Sequence, residues 1–284
     1  MAITKSIVLT AICPSAKESI EDFCRAVDLF RAHGIGCVEY YTKPELRCAF
    51  GKALKERGLR SIFLAAIEQK GQHQDLCSLD EEERKAAVKA CLEMAGDAMD
   101  AGAEAMLITG GWLPKNRDDM EKAEAALRKS IGEILQVCRG KLKLYLEPGD
   151  REVEFKQLIG PTNEAVQLAK DFEGELQLTM DISHMAQLGE DVYEALTLSQ
   201  DYTPHVHLAN CILKPGAVWY GDKHPMFDVA EGMFGTEDAM AVYQWIDMCS
   251  EEKDRIVGVE VIHREGDEWQ VAENLIRKEA WFFN

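Results

Sequence analysis

The sequence predicts an α/β fold, a single (β/α)₈ TIM barrel that spans residues 1–284 as one domain. Three observations support this prediction. Eight apolar segments alternate with eight helical segments, and strict alternation implies a parallel sheet. No linker rich in proline, glycine or serine separates them. The length of 284 residues accommodates eight strand–helix units of roughly 25–35 residues each.

Strands are predicted where runs of apolar residues lie between polar or glycine-containing breaks. The expected strands cover residues 3–12, 36–41, 61–67, 105–109, 142–147, 176–181, 204–210 and 256–263. In strands 5, 7 and 8, polar residues alternate with aliphatic ones. Successive side chains of a strand point to opposite faces, so the polar groups are expected inside the barrel and the aliphatic ones against the helices.

Helices are predicted between the strands. They are expected to cover residues 17–33, 43–57, 80–101, 118–137, 161–172, 191–198, 236–249 and 271–280. Gly34, Gly58 and Gly102 are expected to end the first three, because glycine accepts the left-handed backbone that commonly closes a helix. Thr236 is the expected N-cap of the seventh. Residues 69–79 and 211–235 are expected to form loops.

The composition disfavours several classes of protein. The formal net charge of −18 disfavours nucleic acid and anionic membranes as partners. No run of 18 apolar residues is present, and the first residues lack the apolar core of a signal peptide. Nine scattered cysteines without a CxxC pair fit a reducing compartment. We therefore expect a cytoplasmic enzyme that binds neither nucleic acid nor membranes.

Four side chains with catalytic potential lie at the ends of the last four strands. Glu147, Asp181, His207 and Glu260 are separated by about 34, 26 and 53 residues. The first two gaps each correspond to one strand–helix unit, and the third has the length of two units but contains a single predicted helix and the long loop at 211–235. The residues are therefore assigned to strands 5–8. In barrel enzymes the catalytic groups collect at the carboxyl ends of the strands, so all four are expected at one mouth.

Two glutamates, one aspartate and one histidine offer three oxygen ligands and one nitrogen ligand. Such a set suits one divalent metal ion, Mn²⁺, Mg²⁺, Co²⁺ or Zn²⁺. Three crowded carboxylates would repel one another unless a cation lay among them. For any one of these carboxylates taken alone, the alternative is a strand end that caps a loop or pairs with lysine or arginine.

Four segments carry a resemblance to a known family. They are Leu146-Glu147-Pro148, Asp181-Ile182-Ser183-His184, His205-Val206-His207-Leu208 and Gly258-Val259-Glu260. With these motifs, the whole chain resembles the xylose isomerase-like TIM-barrel superfamily, which includes ketose 3-epimerases, hydroxypyruvate isomerase, inosose dehydratase and AP endonuclease family 2. The resemblance implies that Glu147, Asp181, His207 and Glu260 bind one metal ion, and that His184 contacts substrate oxygens.

The resemblance also implies a metal-dependent isomerase or epimerase of a small sugar or keto-sugar. The metal would polarise a carbonyl and stabilise an enediolate, while Glu147 and Glu260 exchange a proton with the neighbouring carbon. A homo-oligomer is expected, because barrel mouths in this family are often completed by a neighbouring subunit.

Two other functions stay open. A keto-sugar lyase, either an inosose-type dehydratase or a glycoside-eliminating enzyme, would begin with the same proton abstraction. A non-catalytic sugar-binding barrel is the second alternative. The presence of both Glu147 and Glu260 counts against it, because binding alone needs no acid and base.

The nucleases of the superfamily bind three zinc ions, and Asp222-Lys223-His224 resembles their Asp-x-His motif. In those nucleases strands 3 and 4 supply histidines. Here the two strands end in the segments Ala65-Ala66-Ile67-Glu68 and Thr109-Gly110-Gly111, which contain none. Together with the negative charge, this disfavours a role in DNA repair. His224 is instead expected over the mouth as a substrate contact.

Further substrate contacts are expected in the loops. Ketose epimerases carry an arginine soon after the strand-7 histidine, and the nearest cation here is Lys214. Trp112 and Trp219 are candidate walls for a sugar, with loop packing as the alternative. Glu39, at the end of strand 2, could bind a hydroxyl, but a structural ion pair is favoured. His205 is expected to be a hydrogen-bonded core residue.

Overall fold

A computed structural model describes residues 3–250 and 254–283, which form a closed barrel of eight parallel strands. The strands are β1 Thr4–Val8, β2 Cys37–Tyr40, β3 Arg60–Leu64, β4 Ala105–Thr109, β5 Lys143–Glu147, β6 Leu176–Asp181, β7 His205–Ala209 and β8 Ile256–Glu260. Each strand pairs with the next along the chain, and β8 pairs with β1 to close the ring. The predicted α/β barrel is confirmed.

Helices surround the barrel. They are α1 Leu9–Ile12, α2 Ile20–Arg31, α3 Pro44–Glu56, α4 Ala65–Gln72, α5 Glu81–Ala101, α6 Met120–Cys138, α7 Thr162–Asp171, α8 Ile182–Leu188, α9 Val192–Ser199, α10 Thr236–Met248, α11 Glu268–Lys278 and α12 Ala280–Phe283. Short 3₁₀ helices cover Pro14–Lys17 and Arg117–Asp119. Among the described residues, none of the helices combines the length and the apolar character needed to cross a membrane.

Three strands end earlier than the sequence suggests. Strands 1, 3 and 8 were expected to reach residues 12, 67 and 263, but β1, β3 and β8 end at Val8, Leu64 and Glu260. The expected loop at 69–79 was wrong in its first part, because α4 begins directly after β3. Residues 65–72 contain alanine, glutamate, glutamine and lysine, which favour a helix. Their apolar start was mistaken for a continuation of strand 3.

The helix α8 was also not predicted, and it follows β6 directly. Asp181 is its N-cap and accepts a hydrogen bond from the Ser183 amide at 2.6 Å. Gly189 ends the helix in the left-handed conformation, with φ of 73°. The last residue of a barrel strand therefore also starts a helix. The expected N-cap Thr236 is the first residue of α10 instead, and Gly235 is the cap.

The core forms two layers. The inner one fills the barrel and includes Val8, Ile62, Leu107 and Tyr145, and the outer one packs the other strand faces against the helices. The expected alternation is confirmed in β5, β7 and β8: Leu144, Leu146, Val206, Leu208, Val257 and Val259 belong to the outer layer, whereas Glu147, His207 and Glu260 come together inside the barrel. The polar site therefore lies on an apolar floor.

An ion-pair network ties the amino-terminal ends of several strands together. The Arg60 guanidinium, at the start of β3, bonds Glu104 at 2.7 Å, Asp254 at 2.9 Å and the Thr4 hydroxyl at 2.8 Å. Lys143 donates to the same Glu104 carboxylate at 2.7 Å. The network joins segments at β1, β3, β4, β5 and β8, so it stabilises the ring away from the mouth.

The Glu104→Gln variant tests this network. Burial opposes ionisation of Glu104, but Arg60 and Lys143 hold its pKa at about 2. A carboxyl whose folded pKa is depressed stabilises the protein above the unfolded pKa, and that stabilisation is lost as the pH falls through the folded value. We expect Glu104→Gln to lower the free energy of unfolding by about 1–3 kcal/mol at pH 7, and by less at pH 3, measured by urea denaturation.

Glu175→Gln is the matched control, because Glu175 pairs with Arg139 in a more exposed ion pair. We expect its effect to stay below about 1 kcal/mol. Equal losses for Glu104→Gln at pH 7 and pH 3 would contradict the electrostatic role of Glu104.

Candidate metal centre

The four side chains expected at the mouth come together in the structure. Glu147, Asp181, His207 and Glu260 place one ligand atom each within 4.8 Å of one another. His207 Nδ1 lies 3.0 Å from Glu147 Oε1, 3.0 Å from Glu260 Oε2 and 4.0 Å from Asp181 Oδ2. The strand register explains this arrangement, since Asp181 on β6 lies beside His207 on β7. Three carboxylates thus surround one imidazole nitrogen.

Asp181 leaves one oxygen available to a cation. Its Oδ1 caps α8, whereas its Oδ2 is buried and has no hydrogen-bond partner among the described residues. An unpaired buried carboxylate oxygen is costly, and this one points toward the group formed with Glu147, His207 and Glu260. The residues present therefore fit a divalent cation.

The electrostatics of the cluster lead to the same conclusion. Burial opposes ionisation of Glu147, but its hydrogen bond to His207 and the charge of that ring hold its pKa at about 2. Burial raises the pKa of Asp181 above its ordinary value. Burial also opposes charge on His207, yet Glu39 and Glu260 keep its pKa well above the usual range. The carboxylates need a positive charge, which a proton on His207 or a metal ion can supply.

Glu39 lies below this cluster, fully buried inside the barrel. Its carboxylate accepts hydrogen bonds from His205 Nε2 at 3.1 Å and from His207 Nε2 at 2.7 Å. The expected roles of a structural ion pair for Glu39 and a hydrogen-bonded core position for His205 agree with these contacts. Burial opposes ionisation of Glu39, but the two imidazoles hold its pKa below the ordinary value.

His184 and His224 flank the cluster on its outer side. With Asp181 they form a further group whose ligand atoms lie within 4.8 Å of one another. His224 Nε2 is 2.6 Å from Asp222 Oδ1, and His184 Nε2 is 3.9 Å from the same oxygen. Burial opposes charge on His224, but Glu260 and Asp222 raise its pKa to about 10. Both histidines expected to contact substrate therefore lie at the mouth.

Lys70 is a member of this region that the sequence analysis missed. It lies on α4, and its Nζ is 2.8 Å from Asp222 Oδ2. Burial opposes its charge, but Asp222, Glu147 and Glu260 raise its pKa above the ordinary value. The helix-forming composition of residues 65–72 was the one signal available. That composition would have predicted Lys70 at the mouth only if the early end of β3 had also been known.

Three of the residues expected to contact substrate lie outside the cluster. The Lys214 side chain is 68% exposed and pairs with Glu231 at 2.6 Å. The Trp219 ring lies beneath the Arg264 guanidinium at 5.4 Å, and the Trp112 ring packs on His73 with centroids 4.2 Å apart. These contacts do not involve the four ligand candidates, and a role of the three residues in substrate binding stays a prediction.

Comparisons with known proteins agree with this architecture. A sequence profile described as the xylose isomerase-like TIM barrel matches residues 19–271. No curated protein matches the chain. A solved D-tagatose 3-epimerase-like protein has 16% identity and a TM-score of 0.72, over 99% of this chain and 97% of that one.

Two further solved structures have names that specify a reaction. The 3-keto-D-glucoside 4-epimerase from E. coli has 18% identity and a TM-score of 0.68, over 99% of this chain and 98% of that one. A D-psicose 3-epimerase from Clostridium cellulolyticum H10, solved with D-tagatose, has 16% identity and a TM-score of 0.64, over 99% and 96%. At these identities the likeness establishes the fold alone.

Proposed function

The chain belongs to the xylose isomerase-like TIM-barrel family, and on that premise we propose that it is a divalent-metal-dependent isomerase or epimerase of a small sugar or keto-sugar. One observation carries the proposal: Glu147 and Glu260 approach the same His207 nitrogen at 3.0 Å from different strands. Two carboxylates at one ligand centre suit proton removal from a carbon and proton return to it.

Glu147, Asp181, His207 and Glu260 would hold one divalent ion, Mn²⁺, Mg²⁺, Co²⁺ or Zn²⁺. When bound, the ion would polarise the carbonyl of the substrate and lower the cost of negative charge on its oxygen. The Ser183 amide fixes the orientation of Asp181 through Oδ1 and leaves Oδ2 for the ion. The first turn of α8 thus orients one of the ligands.

Glu147 and Glu260 would perform the proton transfers. Beside a bound divalent ion the Glu147 carboxylate would stay ionised, as a base requires. Glu260 is the more exposed of the two, with 17% of its side chain accessible, so it faces the open mouth. One glutamate would take the proton next to the carbonyl and the other would return one, which gives an epimer or an isomer.

The outer polar groups would place the sugar. His184, His224 and Lys70 all lie around Asp222 and offer ring nitrogens and an ammonium to hydroxyl or carbonyl oxygens. The names of the structural neighbours support this substrate class, because tagatose, psicose and 3-keto-glucosides are all keto-sugars. Cytoplasmic location and homo-oligomeric assembly also belong to this proposal.

Metal content is the first test of the proposal. We expect natively purified protein to contain about one divalent ion per chain, and we expect Glu147→Gln and Asp181→Asn to lose it, because each removes a charged oxygen ligand. Elemental analysis measures this directly. Glu175→Gln, far from the mouth, is the control and should retain the ion. Equal metal content in all the variants would contradict the assigned ligands.

Deuterium exchange tests the chemistry. With D-tagatose, D-fructose and a 3-keto-glucoside as probes in D₂O, we expect the metal-loaded protein to introduce deuterium next to the carbonyl of at least one. Glu147→Gln and Glu260→Gln should each slow this exchange by about 10²-fold or more, because general acid–base catalysis contributes about that much. Mass spectrometry and proton NMR measure the exchange.

The same experiment separates the alternatives. Release of water or of the aglycone would identify a lyase instead. Absence of exchange with every keto-sugar that binds would favour a sugar-binding barrel. Turnover that survives in Glu147→Gln would contradict the two-glutamate mechanism.

Two lysines near the mouth differ in their expected effect on substrate placement. Lys70 is largely buried beside Asp222, whereas Lys214 is exposed and paired with Glu231. We expect Lys70→Met to raise KM in the exchange reaction at least about 10-fold, because it removes a charge-assisted hydrogen bond to the sugar. Lys214→Met is the matched control and should leave KM unchanged. A larger effect of Lys214→Met would assign substrate placement to that residue.

A further inference from the structure

Glu39 makes fully enclosed polar contacts inside the barrel. Its side chain is fully buried, and each carboxylate oxygen accepts a hydrogen bond from a different imidazole. Oε1 is 3.1 Å from His205 Nε2, and Oε2 is 2.7 Å from His207 Nε2. A charged group buried to this degree is tolerated when it is paired and hydrogen-bonded, and here both partners are buried histidines on β7.

His207 uses its two ring nitrogens for two different partners. Nε2 bonds to Glu39, while Nδ1 faces Glu147 and Glu260. In a neutral imidazole one nitrogen carries the proton and the other carries a lone pair. A carboxylate that accepts the Nε2 proton leaves the Nδ1 lone pair directed at the metal centre. In metal sites such an outer carboxylate fixes the tautomer and the orientation of the ring.

His205 completes the arrangement without being a ligand itself. Its Nε2 donates to Glu39, and its Nδ1 lies 3.0 Å from the Thr179 hydroxyl. Glu39, His205 and His207 together offer atoms close enough for a cation. Both His205 nitrogens and both Glu39 oxygens are already engaged in hydrogen bonds, so this group is better suited to hold His207 than to bind an ion of its own.

Gly258 makes the contact between Glu39 and His207 possible. Glu39 is on β2 and His207 on β7, and the strands between them in the ring are β1 and β8. Gly258 lies on β8 next to His207 in the register. A Cβ at this position would collide with Glu39 Oε1 and would touch His207 Cδ2. The missing side chain therefore leaves the space through which Glu39 reaches across the barrel.

From these contacts we propose that Glu39 is the positioning residue of the metal centre: it holds His207 as the Nε2–H tautomer, in the orientation that presents Nδ1 to the ion. His205 fixes the second oxygen of Glu39, and Gly258 provides the space. The inference rests on the proposed metal site of Glu147, Asp181, His207 and Glu260.

The test measures Mn²⁺ affinity of the full chain by isothermal titration. We expect Glu39→Gln to raise the Kd for Mn²⁺ by about 10–100-fold while still binding one ion per chain, because the amide cannot accept hydrogen bonds at both of its atoms. Tyr145→Phe is the matched control. Tyr145 is buried in the same interior near His205, and its hydroxyl has no hydrogen-bond partner within the described part of the chain. This control should bind Mn²⁺ as the wild type does.

A second measurement needs no change at Glu39. In wild-type protein labelled with ¹⁵N-histidine and loaded with Zn²⁺, the ring proton of His207 should be found on Nε2 by NMR, with the signal assigned by its loss in His207→Gln. A proton on Nδ1 would overturn the proposal even if Glu39→Gln does not fold.

The outcomes separate this inference from the proposed function. An unchanged Kd in Glu39→Gln, with tight binding by the wild type, would overturn the role of Glu39 and leave the metal site standing. Failure of the wild type to bind Mn²⁺, Mg²⁺, Co²⁺ or Zn²⁺ would overturn the metal site, and the role of Glu39 with it.

Discussion

Three carboxylates that converge on one buried imidazole nitrogen set the main constraint on this structure. Glu147, Asp181 and Glu260 cannot all stay ionised around His207 unless a positive charge lies between them. Charged side chains lie on both sides of this cluster. Glu39 anchors His207 from below, and Lys70 contributes an ammonium above. The polar half of the barrel interior is therefore organised by charge, while the apolar floor and the amino-terminal ion pairs keep the ring closed.

The link between fold and site is especially direct at the end of β6. Asp181 is at once the last residue of a barrel strand, the N-cap of α8 and a candidate ligand. Capping uses one oxygen and sets the direction of the other. A helix that begins without a connecting loop thus gives the carboxylate a defined orientation, which a flexible connection would not do. A helix also begins without a connecting loop after β3, where α4 places Lys70 at the mouth.

The sequence alone was enough to predict the barrel and the four strand-end residues. Both depend on local patterns: alternation along single strands, and spacings that match whole strand–helix units. Lys70 was missed because its position depends on where β3 ends, and apolar residues after Leu64 hid that point. The contact of Glu39 with His207 could not be predicted, because it depends on how far a side chain of β2 reaches across the barrel interior and on the absent side chain of Gly258. Such contacts arise from the packing of distant segments.

The ion pair between Lys70 and Asp222 links two sides of the ring. Lys70 follows β3 and Asp222 follows β7, and in a ring of eight strands these two stand on opposite sides. The ion pair therefore spans the carboxyl ends of the strands and ties the helix after β3 to the loop after β7. Both side chains are largely buried, so solvent and salt screen this connection less than they screen a surface salt bridge.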